Sequence, residues 1–246
     1  MEAKASQRQE YRSDVDLKIY FLPAHIFPYF LGMTSDGRKV LLHLAVGDKE
    51  SIPMDRDWEG FLDDMKARAL EEPLLCIIDG NPGLRKAVRR KFAGALVQRC
   101  QVHKMLNIIN KLPHLARPTL KKLIYEAFTA RSYKEGMARA RTIIADYKES
   151  FPAAMKCLEQ DLEESLTALK FPLVHSIRIR TTNLLERLFG EARRRTKIIP
   201  RFTSEASGLS LVFAVLIDAS EGWRGVRMKP YLEKRLRQIA TDPDST

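Results

Sequence analysis

An aspartate stands directly after a short, continuous apolar run and opens a glycine-rich turn. The run covers residues 74–78, and the turn is Asp79-Gly80-Asn81-Pro82-Gly83. Such a run is typical of a buried strand, often a parallel one, and α/β folds place their ligands at the carboxyl ends of these strands. Asp79 is therefore a candidate to hold a cation or a substrate. The alternative is an aspartate that only turns the chain and caps the next helix, the commoner role of an isolated Asp-Gly.

A glutamate inside a basic stretch is the second candidate. Residues 176–201 contain eight Lys or Arg and two acids, Glu186 and Glu191. Thr182 or Asn183 can cap a helix here, which places Glu186 in the first helical turns. One interpretation pairs Glu186 with arginines one turn away. In the other, Glu186 holds a metal ion while its basic neighbours hold phosphates, and the two interpretations are compatible.

A cysteine and a histidine three positions apart form the third candidate. Cys100 and His103 have the spacing of half a zinc site, but the sequence has no second Cys/His pair to complete it. His114 and His175 stand alone, so a four-ligand structural zinc site is not expected. The pattern favours a structural thiol beside a histidine that forms hydrogen bonds or contacts DNA.

The elements that must position these residues alternate between strands and helices over the first hundred residues. Residues 17–22 and 39–46 are β-prone, residues 25–33 are rich in aromatics, and the Asp-Gly turn at 35–38 predicts a hairpin. Helical spacing starts near Asp57, and a basic helix follows over about residues 84–92. With a further short strand at 96–98, the order β-β-β-α-β-α-β predicts a mixed sheet with helices packed on it.

From about residue 102 to residue 169 the apolar spacing is helical almost throughout. We therefore predict an α-helical insertion at residues 102–175. It divides the chain into a first part, residues 1–101, and a final part, residues 176–246. The final part should contain a helix that begins near Thr181 or Thr182 and another over residues 207–220.

Composition indicates a globular protein with a polyanionic partner. The chain has 246 residues, 45% of them hydrophobic and 30% charged, which suits a folded core and not disorder. Three scattered cysteines exclude a disulfide framework and fit a reducing cytosol. No apolar run is long enough to span a bilayer and residues 1–11 do not form a signal peptide, so no membrane partner is expected. A net charge of +11 makes nucleic acid the first partner to consider.

Four sequence blocks, in this order and with this spacing, resemble the Mutator-type transposases of bacterial insertion sequences over roughly residues 32–225. The resemblance implies an RNase H-like α/β fold, a mixed sheet with flanking helices and an α-helical insertion between the second and third acidic residues. That position agrees with the helical pattern at residues 102–175. The blocks are Ser35-Asp36-Gly37-Arg38-Lys39 continuing to Gly47, Ile78-Asp79-Gly80 with Pro82-Gly83, Gln98-Arg99-Cys100 with His103 and Asn107, and Arg180-Thr181-Thr182-Asn183 with Glu186.

The resemblance also implies a DDE triad that binds divalent metal, Mg²⁺ or Mn²⁺. Asp79 matches the second acid and Glu186 the third. Such a site promotes in-line phosphoryl displacement on DNA, first with water and then with a DNA 3′-hydroxyl as the nucleophile. Cys100 and His103 match the C-x₂-H motif of the family, and we assign them a positioning role together with Asn183.

The first acid has several candidates near the start of the chain. Asp14 and Asp16 lie two residues apart and would share one face of a strand. The family places its first Asp before Gly or Ala, and neither aspartate has such a neighbour. We expect Asp16 to be the first catalytic metal ligand, with Asp14, or loss of this residue, as the alternatives. Family members also carry an N-terminal DNA-binding region, so we expect an N-terminally truncated member.

Basic residues near Glu186 are predicted to form a track for DNA phosphates. A second basic cluster at residues 85–91 has a solvated helical face as its alternative interpretation. The predicted DNA-binding residues are Arg178, Arg180, Arg193, Arg194, Arg195 and Lys197.

The leading hypothesis is a DDE transposase domain that cleaves and transfers the DNA strands of an insertion sequence. It implies DNA as the partner, a homo-oligomer on paired ends, and a bacterial cytoplasmic location at the nucleoid. The alternative is a catalytically inactive, truncated DNA-binding remnant without a complete metal site. A generic nuclease of the same fold explains the acids but not the four blocks. The discriminating feature is whether Asp14 or Asp16 lies within metal-bridging reach of Asp79 and Glu186.

Overall fold

A mixed sheet of five strands is the scaffold for the candidate residues. The computed structural model describes residues 17–22, 29–34, 39–44, 54–183, 190, 194–195, 210–211, 214–215, 231, 234 and 238–239. The strands lie in the order β3-β2-β1-β4-β5. Antiparallel pairing joins β1 to β2 and β2 to β3, whereas β4 runs parallel to both β1 and β5. The strands are β1 (Leu17–Leu22), β2 (Tyr29–Thr34), β3 (Lys39–Leu44), β4 (Leu75–Ile78) and β5 (Leu96–Arg99).

Two helices, α1 (Met54–Ala67) and α2 (Pro82–Lys91), pack with the strands around one apolar core. Proline at the first position of α2 suits a helix start, because its missing N–H would have no helical partner there. The four residues of β4 are fully buried, as their continuous apolar run predicts. Members of this core include Leu62, Met65, Cys76, Ile78, Leu84, Val88 and Phe92.

A helical segment follows β5 and has its own apolar core. Pro118 and Pro152 lie in the first turns of two of its helices, and the Ser132 hydroxyl caps a third by accepting a hydrogen bond from the Glu135 N–H at 3.2 Å. The helices are α3 (Gln101–Ile109), α4 (Arg117–Phe128), α5 (Tyr133–Tyr147), α6 (Pro152–Glu159), α7 (Leu162–Leu166) and α8 (Leu173–Ile179), with 3₁₀ turns at His114–Ala116 and Thr167–Lys170. Its core includes Ile108, Leu120, Ile124, Phe128, Met155 and Leu158.

The structure is mixed α/β and mostly helical, and the predicted order β-β-β-α-β-α-β is confirmed. The strand predicted at residues 17–22 is also confirmed. The hairpin prediction is confirmed by the pairing of β2 with β3, whose turn at 35–38 lies outside the described residues. The boundaries at 102 and 175 stay a prediction. Of the predicted helix at 207–220, residues 210–211 and 214–215 are described, and they are helical. No described helix is long and apolar enough to cross a membrane.

The close approach of α5 to its neighbours depends on Gly136. A Cβ at this position would lie 2.8 Å from the carbonyl oxygen of Ala127 and 2.7 Å from Cδ1 of Leu169. We expect Gly136→Ala to lower the free energy of unfolding by about 1–3 kcal/mol, the usual effect of overpacking. Denaturant unfolding followed by circular dichroism measures it.

Gly60 in α1 provides the matched control, because nothing lies within 4 Å of the point that an added Cβ would occupy. Alanine is favoured over glycine inside a helix by about 1 kcal/mol, so Gly60→Ala should raise the free energy of unfolding. Stabilisation by both substitutions would contradict the packing described for Gly136.

Candidate active site

Asp79 lies half-buried immediately after β4, at the carboxyl end of that strand. Its Oδ1 accepts a hydrogen bond from the Asn81 N–H at 3.2 Å. The cap of α2 is Asn81, whose Oδ1 accepts from the Leu84 N–H at 3.0 Å. The helix cap is therefore provided by another residue, and the Asp79 carboxylate stands at the edge of the sheet where a ligand would bind.

Arg99, at the end of β5, packs against this turn and is buried, with 4% of its surface exposed. Its Nη1 donates a hydrogen bond to the carbonyl oxygen of Asp79. The backbone of Gly80 has a φ of +98°, and a Cβ there would lie 2.0 Å from the guanidinium carbon of Arg99. Glycine is thus required both for the turn and for the approach of Arg99. No role of Arg99 could be predicted from the sequence, because an arginine beside a cysteine carries no distinctive signal.

Cys100 brings two of the sequence blocks into contact. Its buried Sγ lies 3.2 Å from Nδ1 of His103 and accepts hydrogen bonds from the Thr182 hydroxyl at 3.3 Å and the Thr182 N–H at 3.4 Å. Beside it, the Gln101 N–H donates to the Arg180 carbonyl at 2.9 Å. Burial raises the pKa of the Cys100 thiol, but the hydrogen bonds with His103 and Thr182 outweigh burial, so that the pKa is lowered overall. Thr182, considered before only as a possible cap, is the partner through which the C-x₂-H motif contacts the last block.

Two buried glutamines, one on each side of Arg99 and Cys100, attach the helical segment to the end of β5. Gln98 donates to the Ser165 carbonyl at 3.0 Å and accepts from the Ala168 N–H at 2.5 Å. Gln101 donates to the Ser165 carbonyl at 2.9 Å. We call residues 98–101 the β5–α3 junction. Its four consecutive side chains contact the Asp79 turn, the segment at Thr182, and the helical segment near Ser165.

The basic cluster after Asp79 is engaged in ion pairs within the chain. Arg85 pairs with Asp161, and its Nε lies 3.0 Å from Glu164. These contacts join α2 to α7 and favour a structural role for this cluster over a surface for phosphates. The other pairs are Arg89 with Glu164 at 2.5 Å, Arg90 with Glu59 at 2.6 Å and Lys91 with Asp63 at 2.6 Å.

The first and third predicted acids, Asp16 and Glu186, lie outside the described residues, as does Asp14. Strand β1 is described, and its register places Leu22 opposite Ile78, next to Asp79. Leu17 lies at the other end of β1, about 17 Å away at the usual rise per strand residue. The strand sequence from 17 to 22, Leu-Lys-Ile-Tyr-Phe-Leu, contains no acid. The part of β1 beside Asp79 therefore offers no second carboxylate among the described residues.

The remaining predicted site residues follow the junction in sequence. Asn183 is helical and exposed. Arg178 is exposed and donates to the Val174 carbonyl at 3.1 Å, and Arg180 is half-buried. Arg194 and Arg195 are exposed in a helix, while Arg193 and Lys197 lie outside the described residues. No group of three or more His, Cys, Asp or Glu side chains that could hold a metal ion occurs within the described part of the chain.

The structure is thus a mixed α/β domain with a carboxylate at the carboxyl end of the parallel strand β4. The chain belongs to the Mutator family of transposases, because the model of that family matches residues 27–225. The match contains Asp79, Cys100, His103 and Glu186, and it begins after Asp16.

Curated relatives support the same assignment. The transposase for insertion sequence element IS6120 of Mycolicibacterium smegmatis is 34% identical over 207 residues, which are 84% of this chain and 63% of that protein. The transposase for IST2 of Acidithiobacillus ferrooxidans is 34% identical over 80% of this chain and 66% of its own length. The transposase for IS256 in transposon Tn4001 of Staphylococcus aureus is 30% identical over 78% of this chain. The chain thus spans just under two thirds of the first two relatives.

The lowered pKa of Cys100 predicts a pH dependence of stability. A group with a lowered folded pKa stabilises the fold fully above its unfolded pKa, about 8.5 for a thiol, and this stabilisation is lost as the pH falls through the folded pKa. We expect the free energy of unfolding of the wild type, minus that of Cys100→Ser, to increase from about pH 7 to about pH 9. Denaturant titrations at both pH values measure this difference.

The hydroxyl of Thr182 should account for part of this increase. Thr182→Val, which removes the hydroxyl at nearly constant shape, should reduce the increase, and Thr182→Ser should preserve it. Burial raises the pKa of Cys76, but this effect cancels because every variant keeps that residue. A difference that falls with rising pH would contradict a lowered pKa at Cys100.

Proposed function

We propose that the chain is the catalytic domain of a DDE transposase, which performs metal-dependent cleavage and strand transfer of an insertion sequence. The observation that carries this proposal is the contact between the second and third acid segments at the β5–α3 junction. Arg99 binds the main chain of Asp79, and the adjacent Cys100 binds Thr182, four positions before Glu186. The Asp79 turn and the segment that precedes Glu186 are thereby linked through neighbouring residues of one strand end.

An RNase H-like fold is part of the proposal. Its support is the five-stranded mixed sheet, in which an antiparallel set of three strands continues into two parallel strands with helices between them. The helices α3 to α8 lie between Asp79 and Glu186 in sequence, where the insertion is expected.

The donor chemistry of the site suits Mg²⁺ or Mn²⁺. The half-buried Asp79 carboxylate at an open strand end is the hard oxygen ligand that Mg²⁺ prefers. Asp79 and Glu186 would hold the metal, together with a first acid. When bound, two divalent ions stabilise the attacking and leaving oxygens of an in-line phosphoryl displacement. In this arrangement Cys100, His103 and Asn183 position the segment that leads to Glu186, and Gly80 permits the turn that presents Asp79.

The first acid decides between this function and its alternative. The register of β1 places its carboxyl end beside Asp79, whereas Asp16 precedes its amino end in sequence. Asp16 stays a prediction from the sequence, because its neighbour Leu17 lies about 17 Å from the Asp79 end of β1. The alternative function remains a DNA-binding remnant that does not cleave. Cleavage assays separate the transposase domain from the remnant, because only the transposase domain cleaves DNA, and its cleavage requires divalent metal.

The proposed substrate is duplex DNA, at the element ends and at the target, bound by a homo-oligomer in the bacterial cytoplasm at the nucleoid. Three observations support this proposal. The curated relatives are named as insertion-sequence transposases, the net charge of the chain is +11, and described arginines after α8 are exposed. Arg178, Arg194 and Arg195 are the proposed phosphate contacts among the described residues, because they are exposed.

Carboxylate-to-amide substitutions test the metal site. On DNA that carries the ends of the element, we expect Mn²⁺- or Mg²⁺-dependent strand cleavage by the wild type and its loss, by about a hundredfold or more, in Asp79→Asn and Glu186→Gln. Asp16→Asn should have the same effect if Asp16 is the first ligand. Gel analysis of end-labelled DNA measures the products.

Asp63→Asn is the matched control, because Asp63 lies on α1 in an exposed ion pair with Lys91. It should retain cleavage. Cleavage that persists in Asp79→Asn would overturn the triad, and salt-sensitive binding without cleavage in any divalent metal would establish the remnant.

Arg194 tests the phosphate track. Phosphate contacts carry little base information, so Arg194→Gln should weaken binding to all duplex sequences alike and lower the salt slope of log K by about one. Arg90→Gln, in which an arginine paired with Glu59 is neutralised, should change neither quantity. Fluorescence anisotropy at several salt concentrations measures both. A change of sequence preference alone would contradict the phosphate role.

A further inference from the structure

Arg99 differs from the other arginines whose contacts the structure describes in this region. It is 4% exposed, yet it forms no ion pair with any carboxylate of the described residues, whereas Arg85, Arg89 and Arg90 each have a carboxylate partner. Its side-chain hydrogen bond goes to the main-chain carbonyl of Asp79. A buried cation is costly unless other charges compensate it.

The charged groups around Arg99 show what compensates its buried positive charge. Burial lowers the pKa of Arg99, and the groups that raise it are, in decreasing order, Cys100, Asp79, Asp161 and Cys157. Asp161 already pairs with Arg85. Asp79, the predicted metal ligand, is thus one of the acidic groups close to the buried guanidinium, which also holds its main chain.

The turn that follows Asp79 is shaped around the same side chain. At Gly80 any Cβ would overlap the guanidinium group, with 2.0 Å to its central carbon and 2.2 Å to Nε. The left-handed φ of +98° at Gly80 and the position of Arg99 are thus compatible only with glycine.

We propose that Arg99 is a positioning residue for divalent-metal binding: its guanidinium holds the main chain of Asp79 and Gly80 so that the Asp79 carboxylate faces the metal. This role rests on the proposed transposase function. Arg99 acts through Asp79 and does not itself touch metal or DNA. Residues that orient metal ligands typically change metal affinity by about 10–100-fold when replaced.

Direct Mn²⁺ binding to the full chain without DNA, followed by electron paramagnetic resonance, tests this role. We expect Arg99→Met to weaken Mn²⁺ binding by about tenfold or more and to speed amide hydrogen exchange in the peptide that contains Gly80. Arg99→Lys, which keeps the charge and one donor, should recover part of the affinity. The control Arg90→Met removes an exposed arginine of α2 and should leave both measurements unchanged.

Gly80→Ala provides a second variant if Arg99→Met does not fold, because its Cβ displaces the guanidinium without removing the charge. It should weaken Mn²⁺ binding as well. When Arg99→Met does fold, the effect of Gly80→Ala should be smaller in that background, where the overlap is absent, and a double-mutant cycle measures that coupling.

Three results would overturn the proposal: unchanged Mn²⁺ affinity in folded Arg99→Met or Gly80→Ala, tighter binding in Arg99→Met, or additive effects in the cycle. If the wild type binds no Mn²⁺, the proposed metal-dependent function fails instead. Hydrogen exchange then still decides the role of Arg99: faster exchange at Gly80 in Arg99→Met supports positioning, and unchanged exchange contradicts it.

Discussion

Burial of four consecutive hydrogen-bonding side chains at the β5–α3 junction is the constraint on which the candidate site depends. Buried polar groups must find hydrogen-bond partners, because each one left without a partner costs about 1–3 kcal/mol. Gln98 and Gln101 find theirs in the α7 region, Arg99 at the Asp79 carbonyl, and Cys100 at Thr182. One strand end therefore sets the relative positions of the sheet, the helical segment and the chain that leads to Glu186.

Charge is used in two different ways in this basic protein. On α2, arginines and a lysine pair with carboxylates of α1 and of residues 161–164, so their charge joins elements of the fold. After α8, described arginines such as Arg194 and Arg195 are exposed, where they can meet a polyanion. The net charge of +11 alone did not separate these roles. The ion pairs of α2 with acids of distant segments, such as Glu164, could not be predicted from that charge.

Much of the fold could be predicted from sequence, since apolar spacing and turn chemistry are local signals. The run at 74–78 predicted β4, and the residues around Asp36-Gly37 predicted the pairing of β2 with β3. The position of Asp79 at a strand end followed from the same pattern. The roles of Arg99 and Thr182 could not be predicted, because they arise from contacts between residues 20 and 82 positions apart. The register of β1 against β4, which separates Leu17 from the Asp79 end, is likewise a tertiary property.

The proposed function requires that the β5–α3 junction hold the Asp79 turn and the segment that contains Glu186 at the same metal site. Fe²⁺ bound in place of Mg²⁺, with ascorbate and peroxide, cuts a polypeptide close to the ion, and mass spectrometry of the fragments locates the cuts. The account predicts cuts at two places, near Asp79 and near Glu186, both lost in Asp79→Asn. Cuts near one of these residues only, or cuts that persist in Asp79→Asn, would contradict it.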